Sequence, residues 1–120
     1  MSLDRERGEF VMLKVERKNL GTVSLLNLDG SLLIGETDSV RDVVRTLPLN
    51  SSVILDLSHV TMVDAHGLGV LLQLREQAIA RDMKFELMNV SNQLREIFST
   101  TRLDTVFQIR SGFAFIQLAA

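Results

Sequence analysis

The chain has 120 residues, 46% of them apolar and 23% charged, enough for one domain that buries roughly two-thirds of its unfolded surface. A net charge of −2 argues against non-specific nucleic-acid binding, and the lack of cysteine excludes disulfides, thiolate metal sites and a thiol nucleophile. No run approaches the roughly 20 apolar residues that cross a bilayer, and the N-terminus is too charged for a signal peptide. A cytoplasmic protein without membrane insertion is therefore expected.

With six Phe and no Trp or Tyr, the core must be built from Leu, Val, Ile and Met. Residues 1–8 are expected to lie outside the ordered part of a single domain spanning 1–120. Phe10–Arg17 alternates apolar Val11, Leu13 and Val15 with Met12, Lys14 and Glu16, the period of a half-buried strand. Asn19, Leu20 and Gly21 form a turn, and Thr22–Leu28 returns as a second strand, giving an antiparallel hairpin. Asp29 and Gly30 are expected to end it, with Ser31–Gly35 as a loop. A helix follows over Thr37–Leu47, where Val40, Val43, Val44 and Leu47 recur at helical spacing. Thr37 or Asp38 can cap its start and Pro48 stops it.

Val53–Leu57 is apolar apart from Asp56, as in a central strand covered on both faces. A short apolar run, Val60–Val63, leads into Asp64, Ala65, His66 and Gly67, and a second helix is predicted from Gly67 to Arg81. Leu68, Leu71, Leu72, Arg75, Ala78 and Ile79 share one face of it, with Val70 and Leu74 to the sides. Lys84–Asn89 reads as a strand, and Ser91 caps a third helix carrying Leu94, Ile97 and Phe98. Thr105–Ile109 is a final strand, and Gly112–Ala120 a last short helix. The pattern is α/β: a mixed sheet of about five strands with three to four helices packed on it.

The chemistry concentrates at the second strand-to-helix junction. The first N–H groups of a helix have no intrahelical partner and its dipole favours anions, so the two residues after Asp64 decide what the junction can do. Asp64 itself reads as the N-cap, accepting from the N–H of His66 or Gly67. Gly67-Leu68-Gly69 lacks the further glycine of a dinucleotide fingerprint and reads as close packing of helix on sheet. His59 and His66 flank Asp64, but the spacing does not align two metal ligands on a helix, and no metal or cofactor is assigned. Ser58 and His59 are sequence neighbours outside any nucleophile-elbow motif, so no catalytic residue is assigned either.

The stretch Ile54-Leu55-Asp56-Leu57-Ser58 through Asp64-Ala65-His66-Gly67-Leu68-Gly69-Val70-Leu71-Leu72 resembles the signature of STAS domains, an apolar strand followed by D-S-x-G-L-G-x-L entering a helix. This family includes bacterial anti-sigma factor antagonists and the cytoplasmic tails of sulfate transporters. The resemblance covers nearly the whole chain. Gly30 stands where the family has its glycine, and Gly35-Glu36-Thr37 with Val40, Val43 and Val44 is similar to the first helix of a bacterial subgroup. Leu87-Met88-Asn89-Val90-Ser91, Leu94, Ile97, Phe98, Leu103 and Val106-Phe107 match the distal half.

The resemblance implies a single STAS-like domain that binds a protein partner, an anti-sigma factor that is also a serine kinase. In the family, the serine after the aspartate is phosphorylated, and the added charge weakens docking. Here that position is Ala65, which has no hydroxyl. A second departure is Gly30-Ser31-Leu32-Leu33, where typical antagonists read G-E-L-D. The expected partner-binding residues are Asp64, Ala65, His66, Gly67, Leu68, Ser31 and Leu33. Two other readings stay open: a STAS subunit of a transporter or signalling complex, and a nucleotide-binding module at the helix N-terminus. The partner's identity and the oligomeric state are not legible.

Overall fold

Two strands open the described part of the chain, β1 (Lys14–Leu20) and β2 (Val23–Leu32), joined by a turn in which Gly21 takes a φ of +65°. They pair antiparallel, from Lys14 opposite Asp29 to Leu20 opposite Val23. The computed structural model describes residues 13–33, 38–48 and 52–110. The predicted helix over Gly112–Ala120, the start of the first strand, the Thr37 cap and residues 1–8 lie outside these.

β2 then alternates with helices: α1 (Asp38–Arg45), β3 (Ser52–Val63), α2 (Ala65–Ala80), β4 (Lys84–Met88), α3 (Asn92–Thr100) and β5 (Gln108–Arg110). The sheet order is β1-β2-β3-β4-β5, with every pair after the first hairpin parallel. Each crossover advances one strand in the same direction. Right-handed connections therefore place all three helices on one face.

That face holds the main core. Leu26 and Leu28 of β2, Val53, Leu55 and Leu57 of β3, and Phe85 and Leu87 of β4 meet Val40 and Val44 of α1, Val70, Leu71 and Leu74 of α2, and Leu94 and Phe98 of α3. Phe107 leans against Phe98 and Phe85, with ring centroids 5.3 and 6.4 Å apart. The second face carries a smaller buried cluster of Leu25, Ile54 and Met88. Val53–Leu57 is thus buried on both faces, as its composition implies, with Asp56 half-buried.

Several boundaries differ from expectation, each for a local reason. β1 runs on through Asn19 and Leu20, expected in the turn, and β2 does not stop at Asp29-Gly30 but continues to Leu32. Gly30 adopts φ +131°, which a side chain would disfavour, so it bends the strand at a bulge rather than ending it. The two apolar runs of the third strand are one continuous element, because the extended β2 gives it a partner as far as Val63. His59 accordingly sits in β3, opposite Asp29, and not in a loop.

α2 begins at Ala65, and its buried stripe is Gly67, Val70, Leu71, Leu74 and Ala78. Leu68 and Leu72 flank that stripe, and Ile79, expected on the inner face, is 51% exposed. The last strand starts later than predicted because Leu103–Thr105 forms a 3-10 turn. α1 ends at Arg45, and Thr46 and Leu47 continue it as a tightened turn before Pro48.

Candidate functional site

The β3–α2 junction is organised around the end of β2. Gly30 lets β2 bend, and Ser31 and Leu32 then resume pairing with Met62 and Val63 after a register shift. Thr61, the residue skipped by the shift, donates its hydroxyl to the Gly30 carbonyl at 3.2 Å and lies 3.3 Å from the Ser31 hydroxyl. Such side-chain bonds replace ladder bonds that the bulge removes. Among the described residues the result is a two-stranded ribbon reaching beyond the rest of the sheet.

The ribbon carries the helix start. Asp64 N–H donates to the Leu32 carbonyl at 3.3 Å, and the Asp64 backbone is extended, with φ −105° and ψ −175°. Its carboxylate accepts from Gly67 N–H at 2.8 Å, and its carbonyl accepts the first helical bond from Leu68 N–H at 3.0 Å. Asp64 is therefore the N-cap, with Gly67 as the donor. Gly67 is buried, and a Cβ there would stand 2.0 Å from the Leu32 carbonyl oxygen. The helix can approach the strand this closely only with glycine. Gly69 has nothing within 4 Å of such a Cβ, so close packing accounts for the first glycine of Gly67-Leu68-Gly69 and not the second.

The expected site residues separate into two groups. Asp64, Ala65, His66, Gly67 and Leu68 are consecutive at the α2 start: Ala65 is exposed, His66 and Leu68 are half-buried, and Gly67 offers only backbone. Ser31 is 3% exposed and lies under the junction, bonded to Thr61. Leu33 is half-buried just beyond the end of β2. Leu32 and Thr61 hold the junction together through groups that the sequence does not advertise. The one signal is Gly30, a glycine inside an apolar strand pattern, which marks a bulge or close approach.

The structure does not bring the two histidines into one site. His59 lines a polar hollow of about 380 Å³ with Lys14, Glu16, Asn27, Asp29 and Asp56, whereas His66 is on the first turn of α2. The His59 Nδ1 lies 3.2 Å from the Ser58 hydroxyl. Among the described residues, no group of three or more His, Asp or Glu side chains is placed to hold a metal ion. No described helix is long and apolar enough to cross a membrane.

A five-stranded mixed sheet with all crossover helices on one face, and a capped helix start set on a bulged ribbon, define an α/β module whose distinctive feature is that junction. The chain belongs to the STAS domain family, whose model matches residues 14–115. It is 26% identical over 85 residues to a STAS-domain containing protein of Pseudomonas aeruginosa (strain UCBPP-PA14), covering 70% of this chain and 84% of that protein. Its fold is similar to that of an anti-sigma factor antagonist from Mycobacterium paratuberculosis, with a TM-score of 0.69 and 17% identity over 81% of this chain and 84% of the other. The phosphorylated form of the Bacillus cell fate determinant SpoIIAA gives a TM-score of 0.66 and 16% identity over 89% and 100%. A sulfate transporter family protein from Wolinella succinogenes gives 0.71 and 19% over 85% and 91%.

Proposed function

We propose that this STAS domain is a non-enzymatic regulatory protein of the cytoplasm that docks an anti-sigma factor or similar serine-kinase-like partner through Asp64–Leu68, without the serine phospho-switch. The observation that carries this reading is Ala65, exposed on the first turn of a helix whose start is fixed by Asp64 and Gly67. On this reading Ala65 stands at the position where the family carries its phosphoacceptor, with a methyl group in place of the hydroxyl. Serine phosphorylation needs a hydroxyl, so Ala65 cannot take the phosphate at this position. Ser31 supports the surface from below, and Leu33 flanks it.

The test mixes the protein with the serine-kinase anti-sigma factor encoded in the same genome, with and without ATP. Size-exclusion chromatography reports the complex and mass spectrometry the phosphate. The natural chain is expected to keep its complex in ATP and to acquire no phosphate. The Ala65→Ser variant is expected to be phosphorylated at the substituted position. Phosphate on Ser58 or Thr61 of the natural chain would relocate the switch.

A second reading, a STAS subunit of a transport assembly, draws on the likeness to the Wolinella sulfate transporter family protein. It would be favoured if the kinase fails to bind and a transporter subunit forms a stoichiometric complex instead.

A further inference from the structure

The chain has no Cys, Trp or Tyr, so the thioethers of its five methionines are the side chains most easily taken by a two-electron oxidant. Met1 and Met12 lie outside the described residues, and the other three fall into two environments. Met83 belongs to the main core and Met88 to the cluster with Leu25 and Ile54 on the second face, each 4% exposed. Met62 is 60% exposed, more than any other large apolar side chain among the described residues.

That contrast decides both reactivity and consequence. An oxidant reaches a buried sulfur only when the structure opens around it, whereas Met62 meets solvent in the folded state. An oxygen added to Met83 or Met88 would bury a polar group among apolar side chains, which opposes folding. On Met62 the same oxygen stays hydrated, so the fold tolerates it.

The position is the β3–α2 junction. Met62 pairs in register with Ser31. It follows Thr61, whose hydroxyl donates to the Gly30 carbonyl, and stands two residues before the Asp64 cap. It also lines a groove of about 110 Å³ with Val60 and Val63 of β3 and Leu94 and Ile97 of α3. Among the described residues, no ionisable side chain lines that groove. A sulfoxide places a strong hydrogen-bond acceptor there and makes the wall polar without adding charge.

We propose that Met62 is a modification site at which a peroxide forms methionine sulfoxide in the folded protein, leaving a reversible polar mark beside the start of α2. A lone pair of the Met62 sulfur attacks one peroxide oxygen, and the O–O bond breaks as the S–O bond forms. The proton on the transferred oxygen passes to the departing oxygen, which leaves as water or an alcohol. The thioether is oxidised by two electrons and the peroxide reduced by two. A thiol-dependent sulfoxide reductase reverses the change, two thiols giving a disulfide and the oxygen leaving as water. The mark borders the surface assigned to docking, but its formation does not rest on that reading.

The test therefore needs no partner. The full chain is treated with millimolar hydrogen peroxide, sampled over time and mapped by peptide mass spectrometry. Met62 should gain one oxygen at least about tenfold faster than Met83 and Met88, and the three rates should converge in urea. NMR of the singly oxidised protein should keep its dispersion, with shifts gathered at 31–33 and 60–65. Methionine sulfoxide reductases with dithiothreitol should restore the original spectrum. Met62→Leu, at an exposed position, should lose the rapid oxidation of that peptide and keep the slow oxidation at Met83 and Met88. Equal rates at the three methionines in the folded chain would overturn the proposal. So would collapse of the spectrum when Met62 alone is oxidised, or shifts centred away from the junction.

Discussion

Gly67 sits so close to Leu32 that a Cβ on it would come within 2.0 Å of the Leu32 carbonyl oxygen and 2.9 Å of its Cβ. The obstruction is backbone of a paired strand, which cannot rotate aside. Gly67→Ala must therefore push α2 off the sheet, and a cost of about 1–3 kcal/mol is expected from overpacking. Gly69→Ala is the control. It meets nothing within 4 Å and should stabilise the helix by up to about 1 kcal/mol. Urea denaturation of both variants checks this: equal effects of the two substitutions would show that Gly67 is not a packing glycine.

The same contact explains why one part of the fold is legible in the sequence and another is not. The order of strands and helices follows from hydrophobic periodicity, and the Asp64 and Ser91 caps from residue type, both of which are local properties. The rotation of α2 is not local. Periodicity favours a face including Leu68 and Ile79, but the approach of Gly67 to Leu32 turns Val70 and Leu74 inward and leaves Ile79 in solvent. The extension of β2 past Gly30 is hidden for a similar reason. A glycine reads as a stop until its partner strand is known, and here β3 supplies pairing on both sides of the bend. The row Asp64 to Leu68 is legible as a contiguous stretch. The buried position of Ser31 is not, because it depends on Thr61, which is 30 residues away in the chain.

Asp64 joins β3 to α2 through its side chain as well as its backbone. Asp64→Ala removes the acceptor for Gly67 N–H, and a loss of about 1 kcal/mol is expected, with Asp64→Asn retaining most of the stability. Chemical denaturation gives the size of the loss. Hydrogen exchange at residues 65–68 gives its location, since fraying should be confined to the first turn of α2.

Thr61 tests the ribbon. Thr61→Val keeps the volume and the β-branched shape but deletes the hydroxyl that reaches the Gly30 carbonyl and the Ser31 hydroxyl. A net cost of about 0.5–1.5 kcal/mol is expected for the lost hydrogen bonding. Exchange should quicken at Ser31, Met62 and Val63 while β4 and β5 stay unaffected. Uniform loosening of the whole sheet would mean that Thr61 does not act locally.

Arg81 ties the end of α2 to the end of α1. Its guanidinium donates to the carbonyls of Val44 at 2.9 Å and Arg45 at 3.2 Å, and also to that of Leu47. These are terminal carbonyls of a helix and its closing turn, the end that attracts a cation, and that of Val44 accepts from Leu47 N–H at 3.2 Å as well. Arg81→Ala should cost about 1–3 kcal/mol for bonds from a charged donor. Arg81→Lys should recover only part of this, because an ammonium cannot spread over carbonyls as the planar fork does. Full recovery by lysine in thermal denaturation would argue that charge alone suffices.

Ala65→Glu separates stability from docking, because its two effects have opposite sign. Ala65 is exposed on the first turn of α2, a turn that holds no acidic residue. A carboxylate there faces the positive end of the helix dipole, so the variant should be more stable by about 0.3–1 kcal/mol at low salt, with the gain screened as salt rises. If Asp64–Leu68 is the docking surface, the same charge mimics in part the phosphate that Ala65 cannot accept, and affinity for the kinase-like partner should fall. A simple folding defect would lower both quantities together. Thermal denaturation at two salt concentrations, run beside calorimetric titration with the partner, distinguishes the cases. Unchanged affinity in the stabilised variant would place docking away from Ala65.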